Sequence, residues 1–436
     1  MCAVFAHAAP APVTWCGTTS ATDQPDVVGG SQVHVIYATP RDSADRFPQL
    51  ASAIAADIAA IGTWWRGQDK TRAPRFDLAA VACTGAGSLD ISDVKLPHEA
   101  AYYNRTTTPR LALVRTDLVA AGFADIAKKY LVYYDQSQPA AGGNCGAAYV
   151  DAHNGGANGY AGVFMAPNLR GCEAPGSYLE VVAAHELVNA FGALATGAPG
   201  PPHACPDDPL HPCDNAHDVL NPAPPASLAS ARLDVGHDDY YDHRGTWWDV
   251  RDSAWLWHLD VPQYAVEVAV GDGGESVADA TEPGLSCAKG ETCTWAWEAG
   301  SVLTLTPTPQ HGYRFLHWIG CPDEQAESCT FTVDRNATVA AVFAPPLALK
   351  GFHLSFARNP LTLTATLHLS VGDQADLVGC RFAKQPVVAA TLNGAVATCT
   401  WSVPTRFRGH RIRGVVELDA KGETLLTKPF HVRIPQ

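Results

Sequence analysis

No stretch of this chain approaches the eighteen or more apolar residues that a membrane-crossing helix needs, which excludes a helical span. Positive charge is scarce too. Against 44 aspartates and glutamates stand 30 lysines and arginines, for a formal net charge of −14. That balance argues against nucleic acid or an anionic membrane surface as partner. No Cys-x-x-Cys motif occurs, so the common zinc and redox spacings are missing. A Gly-x-Ser-x-Gly elbow and a glycine-rich phosphate loop ahead of a helix are absent as well.

What is present is cysteine, in quantity. Of 13 cysteines, Cys2 lies in a start whose Ala6-His7-Ala8 has the look of a signal-peptidase site, so residues 1–12 read as a signal-peptide remnant. The other twelve fall into neighbouring pairs: Cys16–Cys83, Cys145–Cys172, Cys205–Cys213, Cys287–Cys293, Cys321–Cys329 and Cys380–Cys399. Cys16 could instead join Cys145 or Cys172. An even set of widely spaced cysteines implies disulfides and a secreted, extracellular protein.

A length of 436 residues suits two to four domains. Residues 13–262 alternate strands and helices. Val33–Ala38, Phe76–Cys83, Tyr130–Tyr134 and Tyr160–Met165 read as strands. Leu50, Ile54, Ile58, Ile61 and Trp65 repeat at helical spacing, and Thr116 reads as the cap of a helix reaching Ala127. Residues 263–345 and 346–436 each read as short strands and turns, two small all-β domains, the last with immunoglobulin-like spacing. Trp247, Trp248, Trp255 and Trp257 read as core and junction packing.

The most informative segment runs from Ser177 to Leu194. Ser177 with Glu180 reads as a capping box, and Val181, Val182, Leu187, Val188 and Phe191 supply a buried side. His185 and Asn189 then lie one turn apart on one face, where two side chains can grip one metal ion. Glu186 stands where His-Glu-x-x-His sites keep the carboxylate that takes a proton from activated water. Here the motif reads His-Glu-x-x-Asn, and an amide oxygen is a much weaker zinc ligand than imidazole.

These residues belong to a larger resemblance. Lys129–Asp135, Ala183–Val188, Gly192–Leu194, His211–Asp214, Asp218–Pro222, Leu233–Tyr241 and Trp247–Ser253 together resemble secreted, mainly actinobacterial proteins of zinc-metalloprotease type. The resemblance implies an α+β chain with a zincin-like N-terminal domain, and a turn at Asp218–Pro222 like the one that carries a methionine beneath the metal in metzincins. That position is Leu220 here, and the metzincin third-ligand position is Ala195. Residues 263–345 resemble the divergent internalin-type bacterial repeat, through Cys287, Cys293, Gly300–Pro307, Phe315–Cys321 and Val339–Phe343. That resemblance implies an extracellular spacer or adhesive module.

Zinc is the cofactor implied. Its expected ligands are His185 and Asn189 from the helix and, from the loop beyond, His211 or else His203, with Glu186 catalytic. His211 is preferred because Cys213 tethers it and Asp214 is placed to orient its ring. His217 reads as a turn residue beside Asp218. Asp238 and Asp239 alone are too few for a calcium site and read as a helix cap or support for the Trp247 segment. The expected function is a secreted zinc-metallopeptidase-like protein, weakened or inactive because of Asn189, acting on a protein or peptide substrate. The alternative is a non-catalytic extracellular protein that binds a surface ligand on the same scaffold.

Overall fold

β-Branched and aromatic residues in an unbroken run are what a strand covered on both faces requires. Gln32–Thr39 supplies such a run, and all eight of its residues are buried. Lys128–Asp135 and Tyr160–Met165 are buried as completely. These three strands run parallel, with Ile91–Lys95 parallel at one edge and Gly146–Ala148 antiparallel at the other. The helix Phe47–Gln68 buries Ile54, Ile58, Ile61 and Trp65, four of the five positions that helical spacing predicted, and leaves the fifth, Leu50, half-buried. The helix Tyr178–Ala190 is enclosed by the same core, its residues buried except Tyr178, which packs against the core half-buried, and Glu180.

This computed structural model describes residues 14–17, 19–79, 88–105, 107–136, 138–150, 158–176, 178–194, 203–280, 285–370, 375, 377–420 and 423–436. Ser177, Ala195, Cys2, Cys83 and the 1–12 segment lie outside them, as does the end of the Phe76–Cys83 strand.

The expectation of an α+β chain with a zincin-like N-terminal domain does not hold. Among the described residues the chain is mostly β, 42% strand against 15% helix, with 4 helices among many small sheets. The misreading has a physical source. Short pairings such as Arg72–Pro74, Leu78–Ala79 and Ser88–Leu89 are too brief to show a two-residue period. Thr116 was expected to open a helix, but it lies inside Arg110–Ala120 and its hydroxyl donates back to the Ala112 carbonyl at 2.8 Å.

Charge is buried beside the central strand. Lys128 Nζ lies 2.8 Å from Asp23 and 2.7 Å from both Asp26 and Asp77. His34 completes the network, its Nδ1 2.7 Å from Asp77 and its Nε2 2.9 Å from the Ser92 hydroxyl. Burial opposes the charge on Lys128, yet Asp77, Asp26 and Asp23 raise its pKa well above the ordinary value.

Asp57, on the Phe47–Gln68 helix, is 2% exposed and accepts from Tyr133 Oη at 3.3 Å and Gly176 N at 3.2 Å. Burial pushes its carboxyl up to about 7. A carboxyl raised in the folded state contributes stability that is present below its unfolded pKa of about 4 and lost as pH rises through its folded value. Asp57→Asn is therefore expected to stabilise the chain by about 2 kcal/mol near pH 8 and to make little difference near pH 4. Thermal denaturation across that range tests this, and an equal effect at both ends would contradict it.

Two compact units are formed. The first holds the residues up to Val270 with Ser276–Pro307 and Trp318–Ala340. Within it, Gln263–Val270 pairs antiparallel with Thr292–Glu298, whose outer side meets the N-terminal segment. Gly29 N donates to the Ala296 carbonyl at 2.8 Å, and Ala296 N donates to Val27 at 3.0 Å. Gly29 has to be glycine, because a Cβ there would lie 2.2 Å from the Trp297 ring. Glu298 accepts from Arg75 at 2.7 Å and from His258 N at 2.8 Å.

The second unit holds Gly271–Glu275, Thr308–His317 and Ala341–Gln436. From Leu349 onward it has one four-stranded and one three-stranded antiparallel sheet. Leu363, Leu367, Trp401, Val416 and Phe430 lie in one core. Cys380–Cys399 links the two sheets.

Candidate metal centre

Five of the expected disulfides are formed: Cys145–Cys172, Cys205–Cys213, Cys287–Cys293, Cys321–Cys329 and Cys380–Cys399. The sixth expectation involves Cys83, outside the described residues. Among the described residues no helix is long and apolar enough to cross a membrane.

His185 is 6% exposed, on the Tyr178–Ala190 helix. Its Nδ1 lies 2.7 Å from the Val219 carbonyl, which can only accept, so Nδ1 carries the proton and Nε2 presents a lone pair. Burial lowers the His185 pKa to about 4, with His211 adding to the effect, so the ring is neutral. Val219 is held in the turn that follows the loop. Asp218 accepts from Leu220 N at 2.7 Å and from Tyr240 Oη at 2.8 Å, and Leu220 is fully buried. His217 is exposed there, its Nδ1 3.2 Å from the Ser230 carbonyl.

The lone pair of His185 faces His211. The two Nε2 atoms lie 3.1 Å apart. His211 sits on Asp208–Pro212, which pairs with Ala204–Cys205 in a hairpin closed by Cys205–Cys213. Its Nδ1 is 2.8 Å from Asp208, though not aligned as a hydrogen bond. Asp208, three residues before it, is thus the acidic neighbour of His211. Asp214, expected in that place, joins a different group of side chains around His203.

Glu186 and Asn189 complete the group on the helix. Both are buried, at 7% and 4% exposure. Burial pushes the Glu186 carboxyl up to about 8, and a hydrogen bond from Asn189 works against that rise. Donating through its amide nitrogen leaves the Asn189 Oδ1 buried and unpartnered. Gly146, on the antiparallel edge strand, makes room for Glu186, since a Cβ there would lie 2.3 Å from its Oε1. Sequence reasoning missed Gly146, as nothing near it in the chain points to the helix. On the same strand, Ala147 lines a cavity of about 310 Å³ with Tyr103, Arg110 and Phe164.

These donors fit a zinc ion. Two imidazole nitrogens bound at about 2.0–2.1 Å to one tetrahedral ion lie roughly 3.3 Å apart. The 3.1 Å between His185 and His211, the length of a hydrogen bond between the two rings, is also close to that spacing, and Asn189 Oδ1 is a buried acceptor without a partner. His203 is placed elsewhere, with its Nδ1 3.4 Å from Asp239.

Comparison with known proteins adds one family. Residues 287–346 match the Divergent InlB B-repeat domain, within the expected module save for its last residue. No curated protein matches the chain. Among solved structures, a DUF3823 family protein from Bacteroides ovatus is 15% identical over 40% of this chain and 100% of its own, with a TM-score of 0.15. A DUF3823 family protein from Parabacteroides merdae is 13% identical over 40% and 100%, with a TM-score of 0.16. Catalytic inactive OgpA from Akkermansia muciniphila, in complex with an O-glycopeptide, is 10% identical over 96% and 98%, with a TM-score of 0.25. None of these scores reaches the level of a shared fold.

Proposed function

We propose that this chain is an extracellular, zinc-dependent protein of peptidase type whose metal is loosely held and whose activity is correspondingly weak. The observation that carries this reading is the 3.1 Å approach of the His185 and His211 Nε2 atoms, with Glu186 and the unpartnered Asn189 oxygen buried on the same helix as His185. His185, His211 and Asn189 would hold the ion. Zinc in that position supplies Lewis acidity toward a substrate carbonyl. Once ionised, which burial delays to about pH 8, Glu186 would take the proton of the attacking water and return it to the leaving amine. Gly146–Ala148, at the edge of its sheet and against Glu186, suits an extended peptide, which adds to an exposed edge by main-chain hydrogen bonds. The cavity beside Ala147 offers room for one of its side chains. Five disulfides and a bacterial repeat are in keeping with an extracellular setting.

The full chain, purified without chelator, tests the reading by its zinc content. His185→Ala or His211→Ala is expected to remove one equivalent of zinc and whatever peptide hydrolysis the unaltered chain shows. Zinc content unchanged in both variants would reject it. Asn189 favours a second reading, in which the site binds an extracellular ligand without turnover. Zinc-dependent peptide binding with no product at long incubation would select that one.

A further inference from the structure

Three groups of His, Cys, Asp and Glu side chains are close enough to share an ion among the described residues. In the first, Cys287 and Cys293 are bonded to each other. In the second, around His34 and Asp77, Lys128 already supplies the cation. The third has His203, Asp214, Asp238 and Asp239, whose donor atoms all lie within 4.8 Å of one another. No lysine or arginine pairs with these aspartates among the described residues.

The third group is built from two ordered segments. His203 opens the disulfide-closed hairpin, where Cys213 N donates to its carbonyl at 2.9 Å, and Asp214 follows at the other end. Asp238 and Asp239 lie on a loop gathered around Asp234, whose carboxylate accepts from Asp239 N at 3.1 Å and from Tyr240 N and Tyr241 N at 2.6 Å. Trp247, expected to lean on this segment, donates its indole N–H to the Asp239 carbonyl at 2.5 Å. His203 N donates to Asp239 Oδ1 at 3.1 Å and ties the two segments together.

The polar atoms within the group are left over. The Asp239 side chain is 1% exposed, and its Oδ2 has no hydrogen-bond partner. His203 Nδ1 and Asp238 Oδ1 are also buried and unpartnered. His203 Nδ1 stands 3.4 Å from Asp239 Oδ1 and 3.5 Å from Asp238 Oδ2. A charge-assisted hydrogen bond would draw such atoms to about 2.7–2.9 Å. Donors around one tetrahedral zinc lie roughly 3.3 Å apart. A buried carboxylate without a counter-charge is costly, and an ion between these donors removes that cost.

We propose that His203, Asp214, Asp238 and Asp239 form a second divalent-cation site, separate from His185 and His211, that takes a zinc-type transition metal. The imidazole selects against calcium, which takes oxygen ligands alone, and suits zinc and its neighbours. Four protein donors leave no open position, so the ion is structural. It fastens the hairpin that carries His211 to the Asp234 loop.

The test uses the full chain carrying His185→Ala and His211→Ala, dialysed against zinc, with metal content read by mass spectrometry. One bound zinc per chain is expected, and none after Asp239→Asn, which keeps an acceptor for His203 N. Asp214→Asn, at an exposed position, is expected to weaken zinc binding roughly tenfold or more. Three results would overturn the proposal: no zinc in a variant whose circular dichroism matches the unaltered chain, zinc retained after both aspartate substitutions, or zinc displaced by an equal concentration of calcium.

Discussion

Lys128→Met is expected to lower the stability of the first unit by about 3–5 kcal/mol, the range for breaking a buried ion pair by removing one partner. Methionine fills much of the same volume, so the loss reports charge more than packing. The lysine side chain is 2% exposed, and Asp26 and Asp77 around it are 3% and 0% exposed. Without the ammonium, those carboxylates and Asp23 keep only His34 as a counter-charge. Burial, and after it Asp77, already raises the pKa of Asp26 well above the ordinary value. Removing the lysine adds to that rise, so the variant should recover part of its loss on acidification. Asp77→Asn in the Lys128→Met background should cost less than in the unaltered chain, because the charge it removes is no longer compensated. A urea midpoint, followed by tryptophan fluorescence, reads both effects. A loss under about 1 kcal/mol for Lys128→Met would mean that water reaches the network.

That network was not legible in the sequence, and the reason is its range. It joins positions 23, 26, 34, 77 and 128, and no periodicity or motif links residues so far apart. The elements themselves were easier to read. Tyr160–Met165 has the expected limits, and Phe47–Gln68 buries the predicted stripe from Ile54 to Trp65, because runs of apolar residues in a fixed period carry their own signal. The balance of strand to helix was not readable, since pairings of two or three residues have no period to detect. At the candidate site, His185, Glu186 and Asn189 could be read together because one helical turn sets their spacing. His211 could be chosen through its disulfide. Which acid stands beside it depends on a hairpin register that spacing does not encode, and Asp208 has that place while Asp214 faces His203.

Asn189→His should raise zinc affinity at the His185 site by roughly tenfold or more, since the helix sets two imidazoles one turn apart before the metal arrives. The wild-type amide has a competing task, because it donates to Glu186 while its oxygen remains unpartnered. Imidazole in its place gives the ion a third nitrogen and releases Glu186 from that hydrogen bond. Peptide hydrolysis should therefore rise with zinc occupancy. In this background Glu186→Gln is the decisive variant. It keeps the size of the side chain and its packing against Gly146, replaces the carboxyl with an uncharged amide, and so removes the ability to take and return a proton. Hydrolysis is expected to fall by about 10²–10⁴-fold, the usual contribution of a positioned general base, with zinc content unchanged. Active-site titration with zinc, run alongside turnover of a peptide mixture, separates the two quantities. Turnover that survives Glu186→Gln at full zinc occupancy would show that another group handles the proton. Zinc bound tightly by Asn189→His without any turnover would place the defect beyond the metal, in how the edge strand presents a peptide to Glu186.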